Sequence, residues 1–125
     1  MKYKYVGNLS KTIAEKCEIL EHSGKKIIVY EDRIKHVVEK HYNDFENLNA
    51  LMKAYYAIPY VIKNPDFCFY NKKTKGLEYY KNLDNDLCVV VRINAGKVLK
   101  IRSWYPANKG KIKNRINQLK TKVNI

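Results

Sequence analysis

Apolar residues recur with a helical period through the first half of the chain and alternate with polar ones through the second. Lys2 to Val6 alternates and reads as a short strand ended by Gly7 and Asn8. Ile13, Cys17 and Leu20 then form the apolar row of a helix. Ser10 or Thr12 can cap it, Thr12 and Glu15 having capping-box spacing, and His22, Ser23 and Gly24 close it. His22 reads as a residue facing the C-terminal dipole of that helix. Ile27 to Tyr30 is a short buried strand that leads into a helix from Asp32 to Tyr42. There Ile34, Val37, Val38 and His41 fall at i, i+3, i+4 and i+7, and Phe45 extends the row. Asn43 and Asp44 are turn formers. A further helix is expected from Asn47 to Ile58, with Leu48, Leu51, Met52 and Tyr55 on one face. Pro59 should end it and Asn64-Pro65-Asp66 should turn the chain.

Alternation then takes over. Phe67 to Tyr70, Leu77 to Lys81, Leu87 to Ile93 and Val98 to Tyr105 read as four strands joined by turns. From about Lys109, Ile112, Ile116, Leu119 and Val123 line one side of a helix, with Lys111, Arg115, Lys120 and Lys122 elsewhere. The predicted fold is α+β: N-terminal helices packed on a four-stranded antiparallel sheet, with a basic C-terminal helix on the sheet or its edge. A chain of 125 residues suits one core, and it holds no repeat, low-complexity tract or linker, so residues 1–125 are expected to form one domain.

Charge adds a direction to this picture. Against 12 acidic residues stand 25 basic ones, a formal net charge of +13, and the excess is uneven. From Leu87 onward there are 10 basic residues and no acidic one. Such a segment favours an anionic partner, and 11 tyrosines among the cations suit stacking on unpaired bases, although Tyr is also a common sheet residue. Three widely spaced cysteines without a CxxC indicate neither a disulfide framework nor a zinc knuckle. No apolar run reaches the ~20 residues of a membrane span and no signal-peptide pattern follows Met1, so a cytoplasmic protein with no membrane partner is expected.

Two of the three histidines, His36 and His41, lie on the helix from Asp32, among Arg33, Lys35 and Lys40. Histidine exchanges protons near neutral pH, which makes this helix the best candidate for chemistry. His41 falls on the apolar stripe and His36 nearly opposite, in a basic strip with Arg33 and Lys40. The pair stands about 140° apart around the helix, whereas a shared metal prefers i+3 or i+4 spacing, so no metal and no cofactor are expected. A hydrogen-bonded core His41 and an ordinary surface His36 are the plain alternative. In the last strand, alternation puts Lys100, Arg102 and Trp104 on one face and Ile101, Ser103 and Tyr105 on the other. If the second set faces the histidine helix, Ser103 and Tyr105 share a pocket with His36 or His41, and Arg92 reaches its rim. RNA cleavage by its own 2′-hydroxyl needs a base, an acid and donors for the phosphorane oxygens, all of which these side chains supply.

The run His36-Val37-x-x-Lys40-His41, then Ile58-Pro59, Asn64-Pro65-Asp66 and Ser103-Trp104-Tyr105, resembles the phage-associated nuclease-like domains of the barnase/EndoU/colicin/RelE superfamily. In those domains a His-Ile-x-x-Arg-His helix, an Ile-Pro helix end, an Asn-Pro-Asp turn and a Thr-x-Tyr strand recur in that order. The resemblance covers roughly residues 27–106, about two thirds of the chain. It implies a metal-independent ribonuclease, often a toxin acting on tRNA or other RNA, with His36, His41, Ser103 and Tyr105 at the family positions. Lys40 stands where the family usually has arginine, and Ser103 where it has threonine. Arg33, Lys40, Arg92, Lys100, Arg102, Trp104, Lys111, Lys113 and Arg115 are the expected RNA-binding residues. An acidic immunity protein is the expected partner of a toxin, which would be delivered into a target cell. The alternative is a non-catalytic RNA-binding domain.

Overall fold

The computed structural model describes residues 2–123, with side chains as far as Leu119, so the expected positions of the Lys120, Lys122 and Val123 side chains lie outside the described residues. Among the described residues six strands are present: β1 (Tyr3–Asn8), β2 (Lys26–Tyr30), β3 (Phe67–Asn71), β4 (Gly76–Asn82), β5 (Asp86–Arg92) and β6 (Val98–Pro106). They form one sheet in the order β1-β2-β6-β5-β4-β3. The four expected strands are the antiparallel meander β3 to β6. The expected four-stranded antiparallel sheet is nevertheless too small, because β1 and β2 join it and β2 runs parallel to β6 through Lys26↔Val98, Ile27↔Leu99 and Ile28↔Lys100. Parallel neighbours need a long crossover, and here everything from residue 31 to residue 97 intervenes, a pairing that no local pattern reports. Burial of Ile27, Ile28 and Val29 on both faces is the mark of an interior strand.

Helices α1 (Lys11–Lys16), α2 (Asp32–His41), α3 (Leu48–Lys63) and α4 (Lys109–Val123) accompany the sheet. Ser10, not Thr12, caps α1, its hydroxyl accepting from the Ile13 N–H at 3.2 Å. The helix stops sooner than expected because Glu18 takes a φ of 61°, and Leu20 falls in a separate 3-10 turn, Leu20–His22, where it is exposed. Asn47 caps α3 by accepting from the Ala50 N–H at 2.8 Å. Pro59 does not end α3 as expected; the helix continues to Lys63. A helical proline costs ~3 kcal/mol, but the extra turn buries Val61 and Ile62, each worth roughly 1.5–3 kcal/mol, which offsets it. That turn comes close to β1 at Gly7. A Cβ there would lie 2.9 Å from Ile62 Cγ2, and its φ of +150° also favours glycine.

The main core lies between one sheet face and the N-terminal helices, joining Leu77, Tyr79, Val89, Val91, Leu99, Ile101 and Trp104 to Val37, Leu51 and Ile58. On the other face Tyr80, Cys88, Val90 and Ala107 make a smaller cluster, with Phe67, Phe69, Tyr105 and Ile112 packed against it. Ile112 belongs to α4, so the basic C-terminal helix docks on the sheet as expected. Its first turn is capped by Asn108, whose side-chain oxygen accepts from the Lys111 N–H at 2.7 Å.

The Asn64-Pro65-Asp66 segment closes the β3–β4 end of the sheet. Asp66 accepts from the Asn82 N–H at 2.7 Å and from Lys81 Nζ at 3.1 Å. These bonds, the backbone one foremost, hold its carboxyl below the usual value of 3.8. A carboxyl with a depressed folded pKa stabilises the fold above its ordinary pKa and loses that contribution as pH falls through the folded value. Urea melts should therefore show the parent protein more stable than Asp66→Asn at neutral pH, by a margin that shrinks below about pH 4. An equal margin at neutral and acid pH contradicts this role.

Candidate active site

β2 pairs with only the first three residues of β6, and the edge of β6 beyond Lys100 is taken over by α2. Arg33 marks the substitution by donating from Nη1 to the Arg102 carbonyl at 3.4 Å, and Val37, fully buried, anchors the helix in the main core. His41, one turn on from Val37, is thereby stacked on Tyr105, with ring centroids 4.9 Å apart and 26° between planes. Its Nδ1 lies 2.9 Å from Asp44 Oδ2, in the 3-10 turn Tyr42–Asp44 that follows α2. A carboxylate on Nδ1 fixes the ring orientation and leaves Nε2 as the nitrogen open to other chemistry. His41 is hydrogen-bonded, as in the plain alternative, and half-buried, with its side chain 26% exposed.

His36 is half-buried and makes no hydrogen bond to another described residue. Its pKa falls below the usual 6.5, first because burial disfavours the charged ring and then because Arg33, His41 and Lys40 crowd it with positive charge. It is neutral at neutral pH and able to accept a proton. The two imidazoles thus stand in contrasting surroundings on one helix, His36 among cations and His41 against a carboxylate.

The expected faces of β6 require correction, because the strand contains a bulge. Val91 pairs with Ile101 but Val90 with Ser103, so Arg102 is the extra residue and the alternation slips. Trp104 therefore shares the core face with Ile101, rather than the solvent face with Lys100 and Arg102. It is fully buried, donates from Nε1 to the Leu51 carbonyl at 3.3 Å and packs on Tyr55. A ring so enclosed cannot stack on a base, and Trp104 is a core residue. Ser103 and Tyr105 share the opposite face with Lys100, but only Tyr105 meets a histidine. The Ser103 hydroxyl is buried without a hydrogen-bond partner among the described residues, so contact with a phosphate is closed to it in this structure. The Tyr105 hydroxyl accepts from Lys111 Nζ at 2.5 Å. Burial, followed by the neighbouring Cys88, pushes its pKa far up, so it keeps its proton throughout the physiological range.

The cations divide in the same way. Lys40, Arg92, Lys100, Arg102 and Lys113 are exposed. Arg102 also donates to the Thr74 carbonyl at 3.4 Å, and Lys100 Nζ sits 5.3 Å from the Tyr30 ring centroid. Lys111 and Arg115, expected to face RNA, turn instead toward the sheet. Arg115 pairs with buried Glu78, Nε to Oε1 at 3.0 Å and Nη2 to Oε2 at 3.3 Å, and lies 4.3 Å from the centre of the Phe69 ring. Glu78 also accepts from the Tyr80 hydroxyl at 2.6 Å. Glu78 is absent from the residues expected from sequence, and Asp44 is expected there only as a turn former. Glu78 could have been found as the sole acid in an apolar strand opposite a basic helix, and Asp44 as the carboxylate three residues after His41.

Among the described residues no group of three or more His, Cys, Asp or Glu is placed to hold a metal ion. The model of the family described as PBECR3, phage-Barnase-EndoU-ColicinE5/D-RelE like nuclease3, matches residues 3–114. This reaches past the stretch of the sequence resemblance at both ends, taking in β1 and the first part of α4. Neither the curated proteins nor the solved structures yield a match to the chain.

Proposed function

Because the chain belongs to the family of phage-Barnase-EndoU-ColicinE5/D-RelE-like nucleases, and so is a nuclease-family domain, we propose that it is an endoribonuclease acting through the substrate's own 2′-hydroxyl without a metal. The observation that carries this reading is the contrast between the two imidazoles. A pair of titratable groups in opposed environments is the usual arrangement for divided acid and base roles. His36, kept neutral by burial and by its cationic neighbours, accepts the 2′-hydroxyl proton as the 2′-oxygen attacks phosphorus. His41, held through Nδ1 by Asp44, gives a proton from Nε2 to the departing 5′-oxygen as the P–O5′ bond breaks. Arg33 and Lys40, on the same helix, neutralise the phosphorane. Tyr105 serves as the platform on which His41 rests. Its proton is too firmly held for efficient general-acid work at neutral pH.

An RNase of this kind endangers the cell that makes it. An acidic inhibitor covering the exposed cations, with salt-sensitive association, fits a toxin reading. The second reading, a non-catalytic RNA-binding domain, draws on Ser103 and Tyr105, whose hydroxyls are buried or engaged. Incubating the purified protein with tRNA and mixed single-stranded RNA in EDTA, from about pH 5 to about pH 9, separates the two. Cleavage is expected. RNA bound but uncut across that range leaves the binding domain in place of the nuclease.

A further inference from the structure

Tyr3, Tyr5 and Tyr30 have no part in the chemistry above, and they lie together on one side of the β1–β2 edge of the sheet. Antiparallel pairing sets Tyr3 opposite Tyr30 and Tyr5 opposite Ile28, while the parallel ladder sets Ile28 beside Lys100. Paired residues point to the same side of a sheet. Since Lys100 pairs with Arg92, two positions along β5 from Val90, the partner of Ser103, these side chains share the sheet face that carries Tyr105. Helix α4 packs on the β3-β4-β5 part of that face and on Tyr105 near the end of β6, and the apolar cluster beneath it includes none of the three tyrosines. Tyr3 and Tyr5 are 62% and 54% exposed, large values for rings on a sheet whose other face is closed by helices. Tyr3 meets Tyr30 edge-on with centroids 6.0 Å apart, and Lys100 lies over Tyr30. Ile28, only 7% exposed, forms the floor between them. The three strands β1, β2 and β6 contain no Asp or Glu, so no carboxylate of the strands repels an anion there.

We propose that this uncovered face is a binding platform for single-stranded nucleic acid, on which unpaired bases stack against Tyr3, Tyr5 and Tyr30 while Lys26, Lys100 and Arg92 take the phosphates. Four adjacent strands from β1 to β5 span about 14 Å at the usual strand spacing. That is room for the two or three bases, roughly, that aromatic residues on an open sheet face commonly hold. The platform continues across β6 toward Tyr105 and His41, so a strand lying on it reaches the proposed cleavage site from the β1 side. The inference rests on the nuclease reading for that direction alone. The stacking and charge arguments stand without it.

The test uses the full chain and an uncleavable 2′-O-methyl octanucleotide, with affinity measured by fluorescence anisotropy. Tyr3→Ala and Tyr5→Ala should each weaken binding by about 5- to 100-fold, as expected for loss of one stacked base, while Tyr3→Phe binds like the parent. Lys26→Gln and Lys100→Gln should each reduce the salt dependence by about 0.7 in log–log slope. Both rings are surface residues, and matching thermal melts of Tyr3→Ala and Tyr3→Phe exclude a folding effect. Cleavage of a dinucleotide, too short to reach the platform, should be the same in Tyr3→Ala, Tyr5→Ala and Tyr3→Phe as in the parent. Unchanged oligonucleotide affinity in Tyr3→Ala and Tyr5→Ala overturns the platform. Competition by polyglutamate equal to that by the octanucleotide also overturns it, since the face would then read charge alone and fit an acidic protein. Normal binding to the platform with no cleavage of any RNA, by contrast, defeats the nuclease reading and leaves the platform standing.

Discussion

His36→Ala and His41→Ala should each lower the rate of RNA cleavage by about 10²- to 10⁴-fold, the usual cost of losing a general acid or base. Affinity for uncleavable RNA should change little, since neither ring is a permanent cation. The two variants should differ in their pH dependence. A base with a pKa held below 6.5 gives the parent protein a rate that rises with pH on the acid side, through a midpoint below that of a free imidazole. That acid limb should vanish in His36→Ala and persist in His41→Ala. His41 is packed on Tyr105, so its alanine variant must be assayed beside a melting curve. A loss of activity with an unaltered melting temperature belongs to chemistry, and a loss that tracks the melting temperature belongs to packing. Asp44→Asn should reproduce part of the His41 defect because the ring would lose the carboxylate that orients it. Equal cleavage by the parent protein and by the variant lacking both histidines removes them from the mechanism.

The second large effect lies under α4. Glu78→Ala should destabilise the fold by about 3–5 kcal/mol, because it leaves the Arg115 guanidinium half-buried with no counter-charge. Glu78 is only 5% exposed and its bidentate pair with Arg115 is shielded by Tyr80 and Phe69, so solvent compensates little of the loss. Replacing both partners together, as in Glu78→Leu with Arg115→Met, should cost much less, since no uncompensated charge remains. Chemical denaturation of the three variants provides the comparison. Affinity for RNA under conditions where Arg115→Met remains folded should match the parent. An intact denaturation midpoint with weakened RNA binding in that variant returns Arg115 to the RNA-contacting set expected from sequence.

How far the sequence reveals this molecule depends on whether a feature is local. Strong alternation from Phe67 onward marks β3 to β6 within a residue or two, and the period of Ile34, Val37 and Val38 marks α2. The role of β2 is not local, because its partner β6 is about seventy residues away and parallel, and only the unbroken Ile27-Ile28-Val29 run hints at an interior strand. Pro59 misleads for a related reason: its penalty is local, while the burial of Val61 and Ile62 that offsets it comes from the tertiary core. In β6 a single extra residue, Arg102, inverts the faces beyond it, which moves Trp104 from an expected base-stacking surface to the core. Bulges leave no dependable trace in a pattern of period two. At the candidate site, the helix with its two histidines and the strand with Tyr105 are both legible, and the structure brings His41 and Tyr105 together as expected. The states of those groups are less so. The carboxylate on His41, the cationic crowding of His36 and the burial of the Ser103 hydroxyl arise from how α2 replaces β2 along the edge of β6.

The central claim is that this chain cuts RNA through the 2′-hydroxyl using its own side chains, and the chemical ends of the products test it most directly. Mass spectrometry of fragments released from tRNA or single-stranded RNA in EDTA should find a 2′,3′-cyclic phosphate on the upstream piece and a free 5′-hydroxyl on the downstream piece, with no cleavage of 2′-O-methyl RNA or DNA. Downstream fragments that carry a 5′-phosphate, or cleavage of substrates lacking the 2′-hydroxyl, would contradict it.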